Sequence, residues 1–303
     1  MPLLTLGSAA FDSVQTPSDA RDYALGGSAV YAAVAASFFT KPQLLAIVGG
    51  DWNDDFSRAL QLRGVDLQGL EVRKDQKTTF WKGRYFDDMN QRETLTFEGN
   101  VMTPDYVPFL PDAYQETRYV LLGNGSPVAD LALLDKLSDT KLVFADTMDY
   151  YIQNTPRELA ALLKRVDGLI LNDSEAAALT GVKNDSFAAA RKILEMGPRA
   201  VVVKRGEYGA FWMNAESDIY VVPAYPFSKV VDPTGAGDSF AGAMMGVLAE
   251  EDSLDAASVK KALLYATAVA GMTIEGFALE AFDAVDRNVV DARVEKFRDA
   301  LVC

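Results

Sequence analysis

The sequence predicts an α/β fold in three layers, with a doubly wound, mainly parallel β-sheet between helices and a small β-sheet inserted as a lid. Short apolar runs alternate with amphipathic stretches along the 303 residues, and no fixed-period repeat, low-complexity segment or Pro/Gly/Ser-rich linker divides them. The apolar runs are nearly continuous, as in strands buried on both faces of a parallel sheet. One β-rich stretch interrupts the rhythm and points to the insertion.

In chain order, residues 3–7 read as a strand and 28–39 as a helix, followed by a strand at 43–48 and a helix at 54–63. Further strands fall at 119–122, 141–145, 168–171 and 200–203, with helices near 130–136, 156–163, 174–179 and 186–196 between them. From Ser239 onward the chain reads as largely helical. Residues 77–85 and 93–101 break the pattern as two β-rich runs joined by the polar connection Asp87-Asp88-Met89-Asn90-Gln91, a hairpin signature. Such a hairpin is either an edge extension of the main sheet or a lid over the open end of the strands, where folds of this class bind ligands. Exposed Phe80, Trp81 and Tyr85 would suit a lid that also pairs with another subunit. The division this suggests is a core of residues 1–11, 26–70 and 102–303 with lid segments at 12–25 and 71–101.

Composition narrows the function classes. Hydrophobic residues make up 49% and charged residues 24%, which excludes a disordered, collagenous or coiled-coil chain. The formal net charge of −14 disfavours a nucleic-acid or anionic-membrane partner, although backbone amides bind phosphate without net positive charge. There is no histidine, so a general base has to be a carboxylate, Lys, Tyr or the N-terminus, and His-dependent triads or zinc sites are excluded. The single cysteine, Cys303, permits no intrachain disulfide, and the expected location is the reducing cytoplasm. The first residues lack the basic and apolar regions of a signal peptide, and the longest apolar stretch, 28–39, is too short to span a bilayer.

The stretch that carries chemistry is Val231-Asp232-Pro233-Thr234-Gly235-Ala236-Gly237-Asp238-Ser239. A glycine-rich turn that opens a helix leaves backbone N–H groups unpaired at the positive end of the helix dipole, a place for an anion whose charge grows during reaction. Taken alone, Asp238 would be an ordinary helix N-cap. A dinucleotide-binding alternative fails because the first turn, Gly7-Ser8-Ala9-Ala10, lacks the required glycine spacing.

The run from Asp232 to Asp238 resembles the hallmark of the ribokinase-like (PfkB-type) carbohydrate kinase family, and weaker matches extend over essentially the whole chain. The resemblance implies transfer of the γ-phosphoryl group of ATP to a hydroxyl of a sugar, polyol or nucleoside. It makes Asp238 the base, and it gives the amides of Gly235, Ala236 and Gly237 the transferring phosphoryl. Asn172-Asp173-Ser174-Glu175 resembles the element that orders Mg²⁺ and phosphate-bound water, so Asn172 and Glu175 are the candidate metal residues, acting through water. Lys204-Arg205-Gly206-Glu207-Tyr208-Gly209 resembles a strand and turn bordering the nucleotide, which brings in Lys204, Gly206 and Gly209 together with Thr234. Asp12 and the pair Gly26-Gly27 correspond to residues that face the acceptor. Thr267 and Gly276 fall in a region that members place beside the adenine and a monovalent cation, so K⁺ joins ATP and Mg²⁺ as an expectation.

Departures bear on the acceptor. Members close to ribokinase carry Asn where this chain has Tyr31, and often another Asn where it has Ala10. These changes replace polar sugar contacts with an aromatic face and leave room for a nucleoside- or inositol-like substrate. Lys82 and Arg84 of the hairpin are either solvated strand charges or contacts to an anionic substituent, and Arg84 is a candidate acceptor-binding residue. The expected partners are a small-molecule acceptor and a nucleotide, with a possible homodimer through the lid and no nucleic-acid or membrane partner. A non-catalytic nucleotide or metabolite sensor on a kinase scaffold is the alternative.

Overall fold

A computed structural model describes residues 1–103, 106–226 and 230–301. Cys303 lies outside the described residues.

Among the described residues thirteen strands form two sheets: β1 (Leu3–Leu6), β2 (Ala10–Gln15), β3 (Ala20–Gly26), β4 (Pro42–Gly49), β5 (Asp66–Arg73), β6 (Thr79–Tyr85), β7 (Arg92–Glu98), β8 (Tyr119–Leu122), β9 (Leu142–Asp146), β10 (Gly168–Asn172), β11 (Ala200–Lys204), β12 (Ala210–Asn214) and β13 (Ile219–Val222). The larger sheet has the order β13-β12-β11-β10-β9-β8-β1-β4-β5. Its pairs from β5 through to β11 are parallel, while β12 and β13 add an antiparallel edge.

Both faces of this sheet are covered, which is why its strands read as unbroken apolar runs. Leu3, Leu44 and Val202 point into one apolar layer with the helices Ser28–Ala36, Ala236–Glu251 and Ala256–Thr273. Their neighbours Leu4, Leu45 and Val201 point into the opposite layer, against helices that include Pro156–Leu163 and Ser186–Leu194. The order turns at β1, with β4 on one side and β8 on the other. That switch point opens a crevice at the C-terminal ends of the strands.

The smaller sheet has the order β3-β2-β6-β7 and combines residues 10–26 with the hairpin 79–98. The inserted hairpin is therefore part of a separate sheet. Residues 71–73, assigned from sequence to the lid, continue β5 in the main sheet. Tyr85 is buried, and Phe80 and Trp81 are half-buried, so these aromatics are not the exposed set anticipated from sequence. Phe80 stacks with Tyr23 at 5.1 Å between ring centroids. Phe11 stacks on Trp52 at 5.9 Å, fastening the outer face of the lid to the core. Among the described residues no helix is long and apolar enough to cross a membrane.

Candidate active site

Two helices aim their N-termini at the crevice. The helix Ser28–Ala36 starts after Gly27, and Ala236–Glu251 starts after Gly235. They pack backbone to backbone, since a Cβ at Gly242 would come within 2.1 Å of the Ala32 carbonyl oxygen. Only small residues allow this approach, which sets both positive dipole ends side by side. Gly235 has φ 76°, a left-handed conformation, and a Cβ there would meet the Tyr31 ring at 2.3 Å.

Gly235 is the N-cap, so Asp238 lies one turn inside the helix and is not the cap itself. The Ala236 N–H bonds to the Pro233 carbonyl at 3.2 Å. Among the described residues the first-turn amides of Gly235 and Gly237 carry no such bond, so the amides open to an anion are a smaller set than the three expected. Asp232 shapes the approach to this turn. It is buried and accepts from the Thr234 amide at 2.9 Å and the Ala278 amide at 3.3 Å. Burial raises the Asp232 pKa, with those amides opposing.

On the clasp side of the crevice, Asp12 is a buried residue of β2, and a Cβ on Gly26 would strike its carboxylate at 2.0 Å. Burial pushes Asp12 up to about 7; the Gly27 amide opposes this, and the charges of Asp232 and Asp238 add to it. Tyr31 is 1% exposed and lies beneath Gly235, so it props up the turn instead of offering an aromatic face to an acceptor. Its hydroxyl has no hydrogen-bond partner among the described residues.

On the other side, three residues end adjacent strands: Asp146 on β9, Asn172 on β10 and Lys204 on β11. Lys204 Nζ donates to Asp146 Oδ2 at 2.8 Å. Burial works against the Lys204 charge, but Asp146 and Glu175 outweigh it and raise its pKa. A Cβ on Gly237 would lie 3.0 Å from Lys204 Nζ, so this ammonium touches the glycine turn. Asn172 and Glu175 form a capping box: Asn172 Oδ1 accepts from the Glu175 amide at 2.8 Å, and Glu175 Oε2 accepts from the Asn172 amide at 2.8 Å. Burial and the neighbouring Asp146 push Glu175 up to about 7, against Lys204 and the Asn172 amide. Asp238 is half-buried and raised to about 6, first by burial and then by Asp146, with Lys204 and Arg92 opposing.

Gly206 and Gly209 shape the turn between β11 and β12, where the Arg205 amide bonds to the Gly209 carbonyl at 2.7 Å. Asn90 at the lid tip lies over it, 3.7 Å from where a Gly206 Cβ would sit. The lid is also fastened to the glycine-turn loop, as Thr234 Oγ1 donates to the Tyr85 hydroxyl at 3.2 Å.

The structure does not bring Arg84 to this cluster. Arg84 pairs across the hairpin with Glu93, and the two form a 2.8 Å ion pair on the face opposite Tyr85. The lid cation on the inner face is Arg92, directly across from Tyr85. Arg92 and Asp146 are the residues that sequence reasoning missed. Register could have found Arg92, because a pair summing to the same position as 84 and 93 puts 85 and 92 together on the other face.

A mainly parallel three-layer sheet with a small clasp over its C-terminal edge, and with a glycine turn and a raised carboxylate at a helix start, defines a ribokinase-fold phosphotransferase class. The chain belongs to the pfkB family of carbohydrate kinases, whose family model matches residues 4–281. A cytidine kinase of Thermococcus kodakarensis is 26% identical over 250 residues, covering 81% of this chain and 87% of that one. The bifunctional ribokinase/ribose-5-phosphate isomerase A of Fructilactobacillus sanfranciscensis is 36% identical over 118 residues, a match that spans 38% of this chain and only 21% of that protein. Arabidopsis thaliana ribokinase, solved with ribose and ATP, superposes with a TM-score of 0.79 at 21% identity over 97% of this chain and 98% of that one, a likeness of fold.

Proposed function

We propose that this chain moves the γ-phosphoryl group of ATP to a hydroxyl of a small sugar-, polyol- or nucleoside-like acceptor, with Asp238 as the base. The observation that carries the proposal is the half-buried Asp238 carboxyl, in the first turn of a helix whose opening amides at Gly235 and Gly237 have no acceptor among the described residues. The acceptor hydroxyl gives its proton to Asp238 as its oxygen lone pair forms the new O–P bond. The bond from the γ-phosphorus to the bridging oxygen breaks, and its electrons leave on ADP. With a pKa of about 6, Asp238 is mostly ionised at neutral pH and ready to take the proton. The Gly235 and Gly237 amides meet the growing negative charge.

Asp12, Gly26 and Gly27 would hold the acceptor, with Tyr31 supporting the turn from below. Lys204, Gly206, Gly209 and Thr234 would border the nucleotide. No cluster of three or more His, Cys, Asp or Glu side chains forms a metal cage among the described residues. Glu175 and Asn172 still fit Mg²⁺ held through water, because Mg²⁺ keeps much of its hydration and binds few carboxylates besides phosphate. When bound, it would neutralise charge on the phosphate oxygens. We also propose the division into core and lid, and a homodimer through the lid edge at β7, where Leu95 and Phe97 are 39% and 64% exposed.

The test is ADP release from Mg-ATP against ribose, cytidine, other nucleosides, inositols and sugar phosphates, with and without K⁺. Acceptor-dependent release that disappears in Asp238→Asn supports the assignment. Nucleotide binding with no acceptor-dependent release across the panel favours the sensor alternative. Near-normal kcat in Asp238→Asn refutes the base. Sedimentation velocity decides the dimer.

A further inference from the structure

We propose that Arg21 of the lid and Glu280 of the core are positioning residues that couple the lid to the glycine turn through the segment 277–280; this rests on the kinase assignment above. Arg21 Nε on β3 donates to Glu280 Oε1 at 2.9 Å, although the two residues are 259 apart in sequence. The same guanidinium lies over the Phe277 ring, 4.8 Å from its centroid. Arg21 is the direct cross-strand partner of Val14 on β2. Phe277 is buried in one apolar cluster with Val14 and with Tyr85 of β6, and Val231 packs against that cluster. Three strands of the lid therefore close on one short piece of the core.

That piece also frames the glycine turn. At its near end the Val231 and Asp232 amides donate to the Ile274 carbonyl at 2.8 and 3.3 Å. At its far end Phe282 is fully buried in the main core. Between these anchors the Ala278 amide donates to Asp232 Oδ2 at 3.3 Å, while Asp232 Oδ1 accepts from Thr234, so the lid contact and the turn share one carboxylate. Ala278 has φ 50°, a left-handed conformation that a residue with a Cβ keeps only where its surroundings impose it. Phe277 seated in the lid imposes it on one side, and Glu280 tied to Arg21 imposes it on the other. Burial raises the Asp232 pKa and the charge of Glu280 adds to it, in keeping with two carboxylates that face one turn.

The lid has to lift to admit an acceptor and close before transfer. As it lifts, Phe277 loses Val14 and Tyr85, Arg21 leaves Glu280, and Ala278 is free to relax. Asp232 then loses one of its two amides, and the turn loses the shape that aims the Gly235 and Gly237 amides at the phosphoryl. Closure restores each contact. The Arg21 and Glu280 side chains are 41% and 51% exposed, so their ion pair is weak in water and can be made and broken in every turnover. In this role neither residue touches acceptor or nucleotide, and no proton or bond changes at either.

The experiment is a double-mutant cycle of Arg21→Gln and Glu280→Gln in the full chain, with Mg-ATP and whichever of ribose or cytidine the wild type turns over. It measures kcat, both KM values and the Tm without ligands. We expect each single variant to lower kcat by about 10-fold with both KM values within about 3-fold of wild type, and the double variant to be no worse than the singles. The Tm should move by less than about 2 °C, as for an exposed ion pair. Arg21→Lys keeps the charge but loses the planar stacking on Phe277, and it should recover part of the loss. Four results overturn the role: kcat within about 2-fold of wild type in either single variant, losses that multiply to about 100-fold in the double, a loss confined to either KM, or a kcat loss accompanied by a Tm fall of more than about 5 °C, which would mean structural support alone. If a Gln variant does not fold, the cycle is run with Arg21→Lys and Glu280→Asp, where about a 3-fold loss in each and none further in the double is expected, and wild-type kcat overturns the role. A wild type with no acceptor-dependent ADP release removes the kinase assignment together with this role. Wild-type turnover that survives in both single variants removes only the coupling.

Discussion

Asp238→Asn should yield a protein that is inactive yet more stable at neutral pH. Burial and the charge of Asp146 raise the carboxyl from its ordinary 3.8 to about 6, so folding works against its ionised form. That displacement of roughly two pH units corresponds to a ceiling of about 3 kcal/mol. Asp238 is only half-buried, and solvent screening reduces this to about 1–2 kcal/mol. Between about pH 4 and pH 6 the native state binds more protons here than the unfolded chain, so this contribution to stability is present in acid and lost as pH rises through the native pKa. Asparagine removes the effect while keeping the shape. Urea unfolding or Tm measured from pH 5 to pH 8 should show the variant ahead by roughly 2–4 °C at pH 8, with the gap closing toward pH 5. A variant less stable than wild type at pH 8 would mean that the carboxylate is held by favourable contacts, and the account of a strained catalytic acid would be wrong.

Three further outcomes follow from the same geometry. Gly235→Ala adds a Cβ that meets the Tyr31 ring at 2.3 Å in a left-handed backbone, so it should lose about 2–4 kcal/mol in denaturant titrations and most of its turnover; wild-type behaviour would show that the turn has room to spare. Asp130 is 1% exposed, has an unpartnered oxygen among the described residues, and has its pKa raised well above normal by burial, so Asp130→Leu should stabilise the protein by about 1–3 kcal/mol at pH 8. That gain should shrink as pH falls and be smallest near about pH 3, below the ordinary Asp value of 3.8, where the carboxyl is mostly neutral in both states, and a loss of stability at pH 8 would reveal a partner. Finally, kcat/KM should rise with pH through a limb between about pH 6 and pH 7, because Asp238 at about 6 and Asp12 at about 7 act as anions; a profile flat from pH 5 to pH 9 would contradict both.

The parallel core was legible because burial on both faces leaves a mark on composition: β4 and β11 are apolar at nearly every position, whichever layer each residue enters. The antiparallel edge was not, as β13 is a half-exposed edge strand of four residues with little periodicity to read. In the site, the glycine turn was visible because its backbone demands particular residues, and φ 76° at Gly235 bears that out. Asp146 gave no such signal, since a lone acid at a strand end has no spacing to mark it and acquires meaning only from Lys204, 58 residues away. The choice between Arg84 and Arg92 turned on hairpin register, and shifting a strand by one residue exchanges its two faces.

The clasp over the crevice is built from two excursions of the chain, one leaving the end of β1 and the other following β5. Asp146, Asn172 and Lys204 close off β9, β10 and β11 on the opposite wing. Under the proposed function, the residues that would hold the alcohol and those that would border the nucleotide thus come largely from separate stretches of polypeptide. On the proposed reading, exchanging residues 10–26 of the clasp would alter the face presented to the alcohol while leaving Asp146, Asn172 and Lys204 in place.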